Sequence, residues 1–269
     1  MKKNFLKKRI KNLKSSFSQP KPVDWLRFFL IDFLFLIMFA VLLTFLLGTT
    51  LYHMKSMEGV ANKALPFLTQ AYSVGPSEQS VQKMAGIKQE FKELIINLVL
   101  TIALYFVLFA ILISSWNFVA LSKILKLKLK LKSWFKFIAV GVLWFFTSFA
   151  LLILLVGFAF NKLLSVISGI ILFFLIVYFS IILFYLLFFK KSIHAIKKTF
   201  AIGIKRIHTL GLAFLVCIVI LLAFNLAFYF LRLPFTFLPG LIALLFFIVF
   251  LSWSRFYLCL ELKEVLKHA

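Results

Sequence analysis

The sequence predicts an all-α polytopic membrane protein: a six-helix transmembrane bundle with interfacial amphipathic helices and one extracytoplasmic helical hairpin. Three observations predict it. Hydrophobic residues fill 64 % of the 269 positions, against about 45–50 % in a soluble globular chain. Lys and Arg outnumber Asp and Glu by 31 to 8, a formal charge of +23. Six continuous apolar stretches, about 26–52, 94–121, 134–160, 163–189, 208–231 and 234–260, each reach the length of a membrane-crossing helix. The runs are apolar throughout rather than alternating in and out, which selects helices over a barrel. A soluble enzyme, a disordered tail and a secreted disulfide scaffold are excluded on the same grounds. Cys217 and Cys259 lie inside apolar runs and read as buried thiols.

Residues 1–22 form a basic amphipathic segment expected on the cytoplasmic surface. Leu6, Ile10, Leu13 and Phe17 follow one another at spacings of 4, 3 and 4, one apolar stripe of a helix lying in the interface. Lys7, Lys8, Arg9 and Lys11 fill the gaps and are candidate contacts for lipid headgroups. Pro20 and Pro22 end that segment, and residues 23–269 make the transmembrane domain. The first apolar run, Leu26 to Tyr52, is far longer than a signal-peptide core of about 7–15 residues and is followed by no A-x-A-like site. It reads as a retained signal anchor.

Residues 53–93 are expected outside. Met57, Val60, Ala61, Ala64 and Leu68 make a weak amphipathic helix interrupted by Pro66, and residues 73–77 make a turn. Val81, Met84, Ile87, Phe91, Leu94 and Leu98 then keep helical spacing into the second span, giving one helix of roughly 40 residues and about 60 Å. The stretch 123–132 alternates Lys with apolar residues at period two. A helix there would scatter its charges, so an extended or irregular link is expected. Asn161-Lys162 and Arg232-Leu233-Pro234 are links so short that they force antiparallel hairpins. In 190–206, Ile193, Ile196, Phe200 and Ile204 share a helical face opposite Lys191, Lys198 and Lys205, a second basic surface for lipid.

Charge sets the orientation. The N-terminus, 122–136, 190–206 and the chain end carry 24 Lys and Arg, against 7 in the alternate segments. The basic-rich side faces the cytoplasm, placing both termini there in the cell membrane, as an even number of spans requires.

Candidate chemistry is sparse. Asp32 and Arg255 are the deepest opposite charges, about 9 Å and 7.5 Å from the cytoplasmic ends of their spans at helical rise. They read as an interhelical ion pair, with a proton or ion relay through Asp32 as the competing use. Asn97, Asn161 and Asn225 all fall toward the outer leaflet and are a candidate polar cluster, more in keeping with interhelical hydrogen bonding than with a pocket. His53, His194, His208 and His268 have no partner at ligand spacing, so no metal and no cofactor is expected. No nucleophile elbow, phosphate loop or H-E-x-x-H is present.

The stretch Phe188 to His208 holds an Ala195-Ile-Lys-Lys-Thr-Phe200 core and a basic stop before the fifth span. It resembles the helix between spans four and five in the glycerophosphodiester phosphodiesterase membrane-domain family and its uncharacterised six-helix prokaryotic relatives. The resemblance covers about 30–40 residues around 188–225 and implies a six-helix architecture. It carries over no catalytic residue, and the acidic residue expected shortly before that helix is missing. The expected function is therefore non-catalytic: scaffolding, assembly or envelope organisation, with the bilayer and its anionic headgroups as partners and a protein partner at the 53–93 hairpin. Nucleic acid is not expected, since anionic lipid lies closer to the basic faces. A small transporter or channel using Asp32 is the alternative.

Overall fold

The computed structural model describes residues 12–13, 15–16, 20–74, 78–157, 162–230 and 237–267. Its seven long helices are α1 (Pro22–Val74), α2 (Glu78–Ile124), α3 (Leu131–Gly157), α4 (Lys162–Leu187), α5 (Ser192–Lys205), α6 (Ile207–Phe230) and α7 (Phe237–Lys267). No strand occurs among the described residues. All but α5 are long and apolar enough to cross a membrane, and the chain is a multi-pass membrane protein.

Two helices run well past the expected spans. Helix α1 starts at Pro22 rather than near 26 and runs 53 residues, straight through Pro66. Proline at that position removes one N–H and crowds the preceding turn, yet it does not interrupt the helix. At about 1.5 Å per residue α1 is about 80 Å long, more than twice the hydrocarbon thickness of about 30 Å. Helix α7 continues to Lys267, past the expected stop near 260. Between α2 and α3 the expected irregular link is present, narrowed to 125–130. Its start has a specific geometry. Lys126 adopts φ 55°, Leu127 N–H donates to Ser122 C=O at 2.8 Å, and Lys126 N–H to Lys123 C=O at 3.2 Å. That is a Schellman cap, with lysine where glycine is usual.

By its internal packing the chain divides into two compact units, residues 1–35 with 113–269, and residues 36–112. The second unit is an antiparallel helical hairpin. The Phe39 ring lies 5.0 Å from that of Phe109, His53 Nε2 lies 3.3 Å from Thr101 Oγ1, and Lys63 pairs with Glu90 at 3.0 Å. Lys83 then sits 5.6 Å over the Phe67 ring. As one partner's number rises the other's falls, which is the register of antiparallel helices. Val60 is buried there, whereas Leu65, Leu68 and Val81 are exposed.

The first unit is built around the C-terminal half of α4. Ile182 to Leu187 are six consecutive buried residues, so this part of the helix is covered on every side. Phe137 of α3, fully buried, lies 5.9 Å from Phe184 and 4.6 Å from Phe188. Ala195 and Ile202 of α5, Leu210 of α6 and Leu262 of α7 complete the cluster. Farther along, Val166, Ile170 and Phe173 of α4 are exposed, as expected of a helix whose solvent is hydrocarbon. Lipid is as apolar as leucine, so close packing and hydrogen bonds must hold such helices together. Glycine provides one close approach: a Cβ at Gly141 would lie 1.9 Å from Ser114 Oγ and 2.9 Å from its Cβ. Lys136 provides another tie, donating to the C=O of Leu187 and, at 2.7 Å, to that of Lys190, carbonyls that the end of α4 leaves open.

Helix α5 carries the two stripes and packs through a third face. At about 100° per residue, its apolar and basic stripes are about 150° apart. Neither stripe is the packed face. Ala195, Thr199, Ile202 and Gly203 are the buried residues, lying between the two stripes. Ile193, Phe200 and Ile204 are exposed on one side, and Lys191, Lys198 and Lys205 on the other. Small side chains seat the helix on α4 because they let the backbones approach closely.

Candidate functional site

An aspartate in an apolar span needs partners, because an unpaired charge at membrane depth is costly. Asp32 of α1 has a fully buried side chain, and the three residues that hydrogen-bond to it lie, as it does, in the first unit. Its Oδ1 accepts from Arg255 Nη1 at 2.9 Å and from Trp116 Nε1 at 2.7 Å. Its Oδ2 accepts from the Ser252 hydroxyl. Ser252 and Arg255 are three residues apart on α7, so one face of that helix presents both. The Arg255 side chain is itself only 12 % exposed. Its guanidinium carbon lies 3.9 Å from the Trp116 ring centroid. Trp116 stacks in turn on Phe35, 4.0 Å away and 10° from parallel. Phe35 and Asp32 are three apart on α1, and the same spacing rule sets them side by side.

The arrangement is a neutral lock. One negative and one positive charge cancel, three donors occupy the carboxylate, and the Trp116 ring, stacked on Phe35, covers the guanidinium. The sequence-predicted pair is therefore brought together, joining α1 to α7 with α2 as the third member. Trp116 and Ser252 were not foreseen. A signal was available in kind: a tryptophan N–H within a bilayer must find an acceptor. Elsewhere Trp134 donates to Ser115 at 3.1 Å, Trp144 to Ser180 at 2.8 Å, and Trp253 to Ser16 at 2.9 Å. Each pair links two different elements, with Ser115 and Ser180 accepting from within the spans and Ser16 from the N-terminal segment.

The other candidates fare differently. Asn97 is exposed on α2. The side chains of Asn161 and Asn225 lie outside the described residues, as do Lys7, Lys8, Arg9 and Lys11. What is described of the N-terminal segment docks on α7. Asn12 donates to Glu261 at 3.2 Å and to Glu264 at 2.7 Å, and Leu13 packs on the cluster of Ala213, Cys217, Trp253, Tyr257 and Leu258. Cys217 and Cys259 are buried free thiols. Among the described residues, no three His, Cys, Asp or Glu side chains gather as metal ligands would. The Ala195–Phe200 core that carries the family resemblance forms the first turns of α5. Comparison with protein-family models, curated proteins and solved structures gives no match.

Proposed function

We propose that this chain is a non-catalytic membrane protein that organises or scaffolds other components, with both termini cytoplasmic in the cell membrane and its basic surfaces on anionic lipid. One observation carries the reading: the deep acid is buried completely and held by three donors, one of them its counter-charge. A relay group must exchange protons with a water path, and Asp32 is instead built into the joint between helices. The long antiparallel hairpin of α1 and α2, with exposed apolar side chains such as Leu65 and Val81, supports a protein partner on the opposite side of the membrane from the termini.

Reconstitution tests this. Purified protein in liposomes is expected to pass no ion or small solute above protein-free vesicles. Its association with added vesicles is expected to rise with anionic lipid and fall with salt. Flux that disappears in Asp32→Asn would replace the scaffold with a transporter.

Orientation has its own test. With the native cysteines buried, a cysteine placed at Ser77 is expected to react with an impermeant maleimide on intact cells, and one at Lys267 only after permeabilisation. The reverse pattern would invert the topology.

A further inference from the structure

A groove of about 640 Å³ opens where the end of α4, α5 and the last turns of α7 meet. That volume is within the range of small-molecule sites, about 300–1,000 Å³. Five cationic side chains line it: Lys190, Lys198, Lys205, Arg206 and Lys263. No acid is among the lining residues. The wall behind the charges is apolar, with Leu186, Ile202 and Leu266.

Local helix geometry builds this segregation. Lys198 and Lys205 are seven apart on α5, two turns on one face, with Ala201 and Ile202 between them in the lining. On α7, Lys263 and Leu266 face the groove. Glu261 and Glu264 lie about 160° around the helix from them at about 100° per residue, and both accept from Asn12 of the N-terminal segment. The two acids of α7 are thus turned away from the groove, and its lining is cationic and apolar.

We infer that this groove is a binding site for one anionic phospholipid whose headgroup carries two negative charges, the phosphates among the lysines and an acyl chain along the apolar wall. The four lysines alone, converging from several elements, exceed what a singly charged headgroup needs. A purely ionic site for a soluble phosphate would have no use for Leu186, Ile202 and Leu266. Basic pockets between membrane helices suit such headgroups. The inference rests on the scaffold reading only in its use of anionic lipid, which it narrows from a diffuse attraction to one saturable site.

The test uses the full-length protein in neutral-lipid nanodiscs, titrated with cardiolipin, with phosphatidylglycerol at equal total charge, and with inorganic phosphate. Saturable binding of one cardiolipin per chain is expected, with phosphatidylglycerol weaker. Lys198→Ala/Lys205→Ala should weaken cardiolipin binding at least about tenfold. Lys128→Ala/Lys197→Ala, which removes the same charge from exposed positions outside the groove, should change it less than about twofold. All four lysines are exposed, so unchanged melting will show that neither variant is misfolded. Equal losses in the two variants would overturn the site and leave the general attraction standing. Binding of no anionic lipid at all would overturn both. Inorganic phosphate that binds stoichiometrically, displaces cardiolipin and depends on Lys198 and Lys205 would make the groove a soluble-phosphate site instead.

Discussion

Replacing Asp32 by alanine is expected to cause one of the largest losses of stability available to a single substitution in this chain. The carboxylate is wholly buried, and Arg255 is nearly so. Removing one partner leaves the guanidinium without its counter-charge in a medium that cannot solvate it. Breaking a buried pair in this way costs about 3–5 kcal/mol. Trp116 and Ser252 lose their acceptor in the same step, each a further unsatisfied donor. Arg255→Ala should cost less, because Trp116 and Ser252 still bond to the remaining carboxylate. The decisive variant is the double one. Asp32→Ala/Arg255→Ala should recover part of the loss, since it leaves neither charge stranded. Thermal melting of the detergent-solubilised proteins gives the cycle. Coupling between contacting residues is about 0.5–3 kcal/mol, so melting shifts that add strictly would contradict the lock.

The pair was legible in the sequence for the reason that makes it costly: acid and base are rare in apolar spans, and these two fell at similar depth. The helices were legible because the bilayer demands long apolar runs. Their ends were not. The last apolar run stops near 260, and nothing in composition says that α7 continues through Glu261, Lys263 and Glu264, held by Asn12 from the far end of the chain. Pro66 misled in the opposite sense, since a proline usually marks an interruption and α1 passes through it. The packed face of α5 was hidden by chemistry. A search for hydrophobic stripes passes over Ala195, Thr199 and Gly203, although small residues are what brings membrane helices together. The groove was beyond reach altogether. Its cations come from positions 190 to 263, and only the folded arrangement sets Lys263 beside Lys198.

Gly203→Leu is the companion to the charge lock, because it attacks the same first unit through shape alone. A Cβ at position 203 would lie 2.4 Å from Phe179 Cε1 and 2.9 Å from its Cδ1, closer than any carbon pair tolerates. Phe179 is half-buried against the core and its ring lies 5.2 Å from that of Phe200 in a tilted contact, so it cannot swing aside without disturbing α5 again. Position 203 also sits in the last turn of α5, where carbonyls lack helical partners. Tyr178 donates its hydroxyl to the Gly203 C=O at 2.9 Å, and a leucine that pushes the helices apart breaks that bond too. Overpacking costs about 1–3 kcal/mol and occasionally more; with the hydrogen bond added, about 3 kcal/mol or more is expected. Gly203→Ala should show a smaller part of it. The contrast is Gly211→Ala on α6, where the new Cβ meets only Ile207 Cγ1 at 3.6 Å. That is ordinary contact, and the gain in helix propensity should leave stability equal or slightly higher. Melting in detergent, paired with trypsin cleavage after Lys197, Lys198 and Lys205, reads both effects: Gly203→Leu should melt lower and be cut faster, and Gly211→Ala should match the parent. A Gly203→Leu protein that melts with the parent and resists trypsin equally would mean that α5 is not seated on α4 through its glycine.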